Sequence, residues 1–146
     1  MSEHADLPAR LQAIVDDFRS LAREEKLESL LEYSEQLPAM PEQYRTAPLE
    51  RVDECATPIA IATERHGEAI QFYFDIPPES PTVRGFAAIL SAGLVGLTPQ
   101  QVIDLPGDLH YSMGLQSALS PQRLNGMYFM VLHLKRAAAR ELQQGR

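Results

Sequence analysis

This chain has a single cysteine, no tryptophan and few basic residues. A solitary thiol cannot close an internal disulfide, and it cannot supply a cysteine-rich zinc site. The four histidines, His4, His66, His110 and His133, show no metal-ligand spacing among themselves. Lys and Arg number 13 against 20 Asp and Glu, a net charge of −7. That argues against a nucleic-acid binder, which needs a basic stripe to follow phosphates. The most apolar run, residues 86–97, is interrupted by Ser91, Gly93 and Gly96. It falls well short of the roughly 20 residues that span a bilayer, so it reads as a buried helix and gives no membrane partner. The opening MSEHADLPAR lacks the basic and apolar regions of a signal peptide. A cytoplasmic, reducing location follows as the expectation, with Cys55 a free thiol or thiolate. Also missing are GxxxxGK, GxGxxG, HExxH and GxSxG, so the common phosphate, dinucleotide, metalloprotease and hydrolase signatures are out.

What is present fits one domain of 146 residues. Leu7, Leu11, Ile14, Val15, Phe18, Leu21 and Ala22 form a stripe at helical spacing, with Asp6 placed to cap it and Pro8 in the first turn. Leu27, Leu30, Leu31 and Leu37 predict a second helix after a break near Glu24-Glu25, and Pro38 ends it. Residues 38–48 carry Pro38, Pro41 and Pro48 and read as irregular loop. The period then falls to two. Ile59 and Ile61 alternate with Ala60 and Ala62, and after ERHGE, Ile70, Phe72, Phe74 and Ile76 alternate with Gln71, Tyr73 and Asp75. This is an antiparallel hairpin with one buried face, and Val52 is read as the start of a short third strand. Three helices are then announced by Ser80-Pro81, Thr98-Pro99 and Ser120-Pro121, each a hydroxyl N-cap before a first-turn proline. In the last helix Leu124, Met127, Tyr128, Val131, Leu134, Ala138 and Leu142 share a side. The expected fold is α+β, a small antiparallel sheet packed with N- and C-terminal helices.

Chemistry converges on Cys55. His66 reads as a solvent-facing turn residue, and the pairs Asp16-Asp17 and Glu24-Glu25 as solvated helix faces or ends. Cys55 lies between the proline-rich loop and the hairpin, with Pro58 following, which predicts a surface loop. A buried small hydrophobe is the ordinary role for such a cysteine. A loop position with no second thiol suits one that meets its partner in another protein. Neighbouring Asp53 and Glu54 disfavour the thiolate and Arg51 favours it, so an isolated Cys55 should be a sluggish nucleophile.

Read outward from Cys55, the chain resembles the SufE family of sulfur-acceptor proteins, which includes the CsdE branch. The residues that carry the likeness are Leu37-Pro38, Pro41, Arg45, Val52 and Cys55, then Val83-Arg84-Gly85, Thr98-Pro99 and the closing Ser120-Pro121-Gln122-Arg123-Leu124-Asn125-Gly126. The likeness covers about residues 8–140, within a single domain 1–146. Two positions depart from the family pattern: Glu54 where glycine usually precedes the cysteine, and Ala60 where a tryptophan usually follows. Both bear on how the loop turns outward and how tightly a partner is held.

The resemblance implies a sulfur acceptor rather than a stand-alone enzyme. Cys55 would take a persulfide sulfur from a pyridoxal-phosphate-dependent cysteine desulfurase, stimulate that enzyme, and pass the sulfur to an iron–sulfur cluster assembly scaffold. No cofactor is implied for this chain. Thr57, Ile59 and the start of the last helix are candidates for a pocket that shelters the sulfur. Arg123 is implied as a supporting residue, contacting the cysteine loop or a partner carboxylate, with a bond to the preceding loop as the structural alternative. Gly85 is expected to allow close packing, and Arg84 to face solvent or partner. Two other readings remain: a binding module of the same fold that regulates a partner without carrying sulfur, and a one-cysteine peroxidase or hydrolase. The last would need a base or positive cradle at the thiol.

Overall fold

In the computed structural model, which describes residues 7–47 and 49–144, two helices open the chain: α1 (Ala9–Arg19) and α2 (Arg23–Ser34). The expected cap at Asp6 and the expected loop position of Pro48 lie outside the described residues, as does His4. Leu11, Val15 and Phe18 are buried along α1, as its stripe requires, whereas Ala22 lies beyond the helix and is exposed. The break between the helices comes earlier than expected, at residues 20–22, so Glu24 and Glu25 sit in the first turn of α2. There the carboxylate of Glu25 accepts the Ala22 amide at 2.8 Å. Leu30 is buried but Leu31 is 44 % exposed, because consecutive helical residues diverge by about 100° and only one of them can face the core.

The loop after α2 includes a 3₁₀ turn, Glu42–Tyr44, despite its prolines. Three antiparallel strands follow: β1 (Glu50–Arg51), β2 (Ala60–His66) and β3 (Ala69–Asp75), in the order β1-β2-β3. The third strand therefore exists, but it ends before Val52, whose amide still donates to the Ile59 carbonyl at 3.0 Å. The hairpin pairs His66 with Ala69 around Gly67 and Glu68. His66 ends β2 and is exposed, held against Glu64 at 2.8 Å. In β3 the alternation reads as expected, with Ile70, Phe72 and Phe74 buried and Gln71 and Asp75 exposed. In β2 it does not: Ile59, Ala60, Ile61 and Ala62 are all buried, so this end of the strand is covered on both faces.

The second half is helical: α3 (Pro81–Gly93), α4 (Pro99–Ile103), α5 (Leu109–Ser112), a 3₁₀ turn at Leu115–Ser117, and the long α6 (Pro121–Gln144). The short turns between α4 and α6 carry no hydroxyl-proline signal, and the sequence does not announce them. α3 is the buried centrepiece, packed on α1 and α2. A Cβ at Gly85 would stand 2.2 Å from the Leu30 carbonyl oxygen, so only glycine lets α2 and α3 approach this closely. Arg84 is half-buried, and its Nη1 donates to the Ile76 carbonyl at 2.7 Å, tying the end of the sheet to α3. On α6, Tyr128 and Leu142 point outward, 41 % and 43 % exposed, while Met130, His133 and Ala137 fill the inward face beside Leu124, Met127, Val131, Leu134 and Ala138.

Of the three hydroxyl caps, two form. Thr98 Oγ1 accepts the Gln101 amide at 3.2 Å and Ser120 Oγ accepts the Arg123 amide at 3.3 Å. Ser80 caps nothing with its side chain. Its hydroxyl lies 3.1 Å from that of Thr57 instead, so it holds the cysteine loop and leaves the helix amides. Among the described residues, no helix is long and apolar enough to cross a membrane.

Candidate functional site

Residues 52–59 leave β1, turn, and re-enter the sheet at β2, and Cys55 sits at the bend. Its amide donates to the Val52 carbonyl at 3.2 Å, the bond that tightens the turn. The side chain is half-buried and packs against the edge of the hydrophobic core. Beneath the sulfur lies α6. A Cβ built on Gly126 would stand 2.7 Å from Cys55 Sγ, closer than real Cβ contacts come, so the thiol rests where only a glycine leaves room. The last residue of the Ser120–Gly126 motif thus forms the seat of the sulfur.

Beside this seat a cleft of about 250 Å3 opens, lined by Cys55, Thr57, Glu79, Ser80, Gln122 and Arg123. The cleft is walled by the cysteine loop, the approach to α3 and the first turn of α6. Thr57 and the start of α6, both expected in a sheltering pocket, are there; Ile59 is instead a core residue, 2 % exposed. Arg123 reaches across to α3, where Nη1 donates to Thr82 Oγ1 at 2.7 Å. Its backbone amide makes the expected bond to the preceding loop, at Ser120 Oγ, whereas the side-chain bond to α3 was not anticipated. It pins α6 to α3 at the cleft wall, with the rest of the side chain exposed.

Glu54 turns away from the cleft. Its Oε1 lies 2.8 Å from His133 Nε2, and the other ring nitrogen of His133 lies 2.5 Å from Glu50 Oε2. Arg140 donates to the second oxygen of Glu50. The hydrogen bond from His133 is the chief cause that lowers the Glu54 carboxyl below its ordinary value. For Glu50, burial pushes the carboxyl up, but the hydrogen bonds from His133 and Arg140 together outweigh it and hold the group low. The buried imidazole of His133 therefore meets a carboxylate oxygen at each of its ring nitrogens.

Sequence reasoning missed Gly126 as the seat, His133 as the anchor of Glu54, and Thr82 as the partner of Arg123. For the first two, spacing alone could have given the inward face, though not the atoms they meet. Gly126, Met130, His133 and Ala137 fall at i, i+4, i+7 and i+11, one face of a helix, and all are buried. Among the described residues no group of His, Cys, Asp and Glu could hold a metal ion.

Comparison with known proteins agrees with the motif pattern. The SufE domain, described as an Fe-S metabolism associated domain, matches residues 12–138. A SufE-like protein of Mycobacterium tuberculosis is 36 % identical over 93 % of this chain and 96 % of its own length. A SufE-like protein of Synechocystis is 32 % identical over 86 % of this chain and 77 % of its own. The solution structure of a hypothetical protein from Thermus thermophilus superposes with a TM-score of 0.83 at 33 % identity, covering 94 % of this chain and 99 % of that one. The α+β fold, the order of motifs around Cys55 and the domain match over most of the chain agree: this protein belongs to the SufE family.

Proposed function

We propose that this protein accepts a sulfane sulfur on Cys55 from the persulfide of a cysteine desulfurase and delivers it to iron–sulfur cluster assembly. The thiolate of Cys55 attacks the outer sulfur of the donor persulfide. A new S–S bond forms at Cys55 as the donor's S–S bond breaks, and the donor cysteine leaves as its thiolate. No external oxidant or reductant is consumed. Pyridoxal phosphate belongs to the donor enzyme and the cluster to the recipient scaffold, so the chemistry here needs only a thiol, access and shelter. Docking on this chain stimulates the desulfurase by removing its product sulfur.

The observation that carries this reading is the position of Cys55: the only thiol of the chain, half-buried on Gly126 at the mouth of a cleft. A second thiol nearby could attack the persulfide and release sulfide, and none exists in the sequence. The test is mass spectrometry after incubation with a desulfurase and free cysteine. Addition of one sulfur atom to the wild-type protein, absent from Cys55→Ser, is expected. If the wild-type chain gains no sulfur while still stimulating its partner, it regulates without carrying.

A further inference from the structure

His133 is 5 % exposed, yet its imidazole meets carboxylates on both sides, at 2.5 Å from Glu50 and 2.8 Å from Glu54. Glu50 is in β1, where the cysteine loop departs, and Glu54 is the residue before Cys55. One buried imidazole on α6 therefore grips the loop at its root and beside its nucleophile. The same helix, two turns earlier, supplies Gly126 under the sulfur. The charged groups that face this arrangement are Glu50 from β1, Glu54 from the loop, and Arg136 and Arg140 from α6 itself; Arg140 bonds Glu50 and Arg136 acts on Glu54. Both arginines favour the ionised carboxylates that accept from the imidazole.

We propose that His133 is a positioning residue for sulfur acceptance, acting through Glu54 to hold the cysteine loop down and Cys55 Sγ on its glycine seat. The proposal deepens the sulfur-acceptor reading and rests on it for its purpose, although the clamp itself is a property of the free protein. It also gives Glu54 a task. Glycine, the usual residue before the family's cysteine, has no side chain to tether. In this chain the flexibility of that position is replaced by a charged strap.

The experiment measures amide hydrogen exchange at 52–58 and the alkylation rate of Cys55, both in the free full-length protein, for Glu54→Ala, Glu54→Gln, His133→Asn and the double variant. Glu54 is exposed, so its variants keep the fold even if removal of buried His133 does not. Exchange at Cys55 is expected to rise roughly two- to fivefold in Glu54→Ala, the range an exposed ion pair supports. Glu54→Gln, which keeps an acceptor oxygen but no charge, falls between. The double variant exchanges no faster than the faster single one, because both residues act through one contact. Alkylation reads the release of the thiol itself. A freed loop exposes Cys55, and faster alkylation in His133→Asn is the expected result. Unchanged exchange in Glu54→Ala, or additive effects in the double variant, overturns the proposal. Sulfur uptake from a desulfurase is measured in parallel. If no variant and no wild-type protein gains sulfur, the acceptor reading fails while the exchange data still decide the clamp.

Discussion

A methyl group added at residue 126 would stand 2.7 Å from the sulfur of Cys55, and the sulfur is the easier of the two to displace because it sits on a loop. Gly126→Ala is therefore expected to cost about 1 kcal/mol, the low end for overpacking, read as a lower urea midpoint at unchanged slope. The same variant should alkylate faster and take up less sulfur. Normal uptake with normal alkylation would show that the seat has no part in holding the thiol. Arg123 is tested differently. Its bond to Thr82 joins α6 to α3, so Arg123→Ala should lose about 1 kcal/mol of stability. If sulfur acceptance falls no further than Thr82→Val makes it fall, Arg123 is structural; a larger deficit assigns it to the partner. The cysteine itself was legible because it is the only one and stands between a proline-rich loop and a strand. The seat was not, since a glycine within a motif does not say which atom it makes room for. That requires knowing that the loop folds back over the helix.

Among the helices, the repeated hydroxyl-proline signal separates into two uses. Thr98 closes a reciprocal cap in which its amide also donates to Gln101 Oε1 at 2.9 Å. Thr98→Ala should therefore cost about 1 kcal/mol. Ser80→Ala removes no cap and should change stability by less than about 0.5 kcal/mol. It would instead free Thr57 and raise the alkylation rate of Cys55; equal losses for the two variants would contradict this division. The shared signal arises because proline at the first helical position suits any helix start, while the direction of a serine hydroxyl depends on what lies across from it. Similar reasoning explains the strands. β3 announced itself because its outward residues are polar. In β2 the residues that alternate with Ile59 and Ile61 are alanines, which are small enough to be buried and give no hint that the second face is also covered. On α6 the spacing places His133 on the inward face, but its polarity suggests solvent, and only the two carboxylates opposite it make burial tolerable.

For the whole molecule, the ties between β1 and α6 bind the sheet to the last helix through charge. Folding holds the Glu50 and Glu54 carboxyls below their ordinary value of 4.5. Groups depressed in this way contribute stability that is fully present above the unfolded value and is lost as the pH falls through the folded ones. Urea midpoints should therefore hold above about pH 5 and decline below it, and Glu50→Gln should flatten that decline. An acid limb as steep in the variant as in the wild type would remove Glu50 from the account. The architecture was the most legible level of all: helices, then a small antiparallel sheet, then helices followed from period and punctuation alone. What the pattern could not supply was which residues meet across it, because 50, 54 and 133 are brought together only by the turn of the loop onto α6.

The absence of a side chain at residue 126 leaves one atom's width beneath the thiol and nothing more. Any group added to that sulfur is denied the helix side, and the cleft lined by Thr57 and Arg123 is the space beside it. On the proposed sulfur-acceptor reading, cargo on that thiol would be presented on the cleft side, and a donor and a recipient would use the same face in turn.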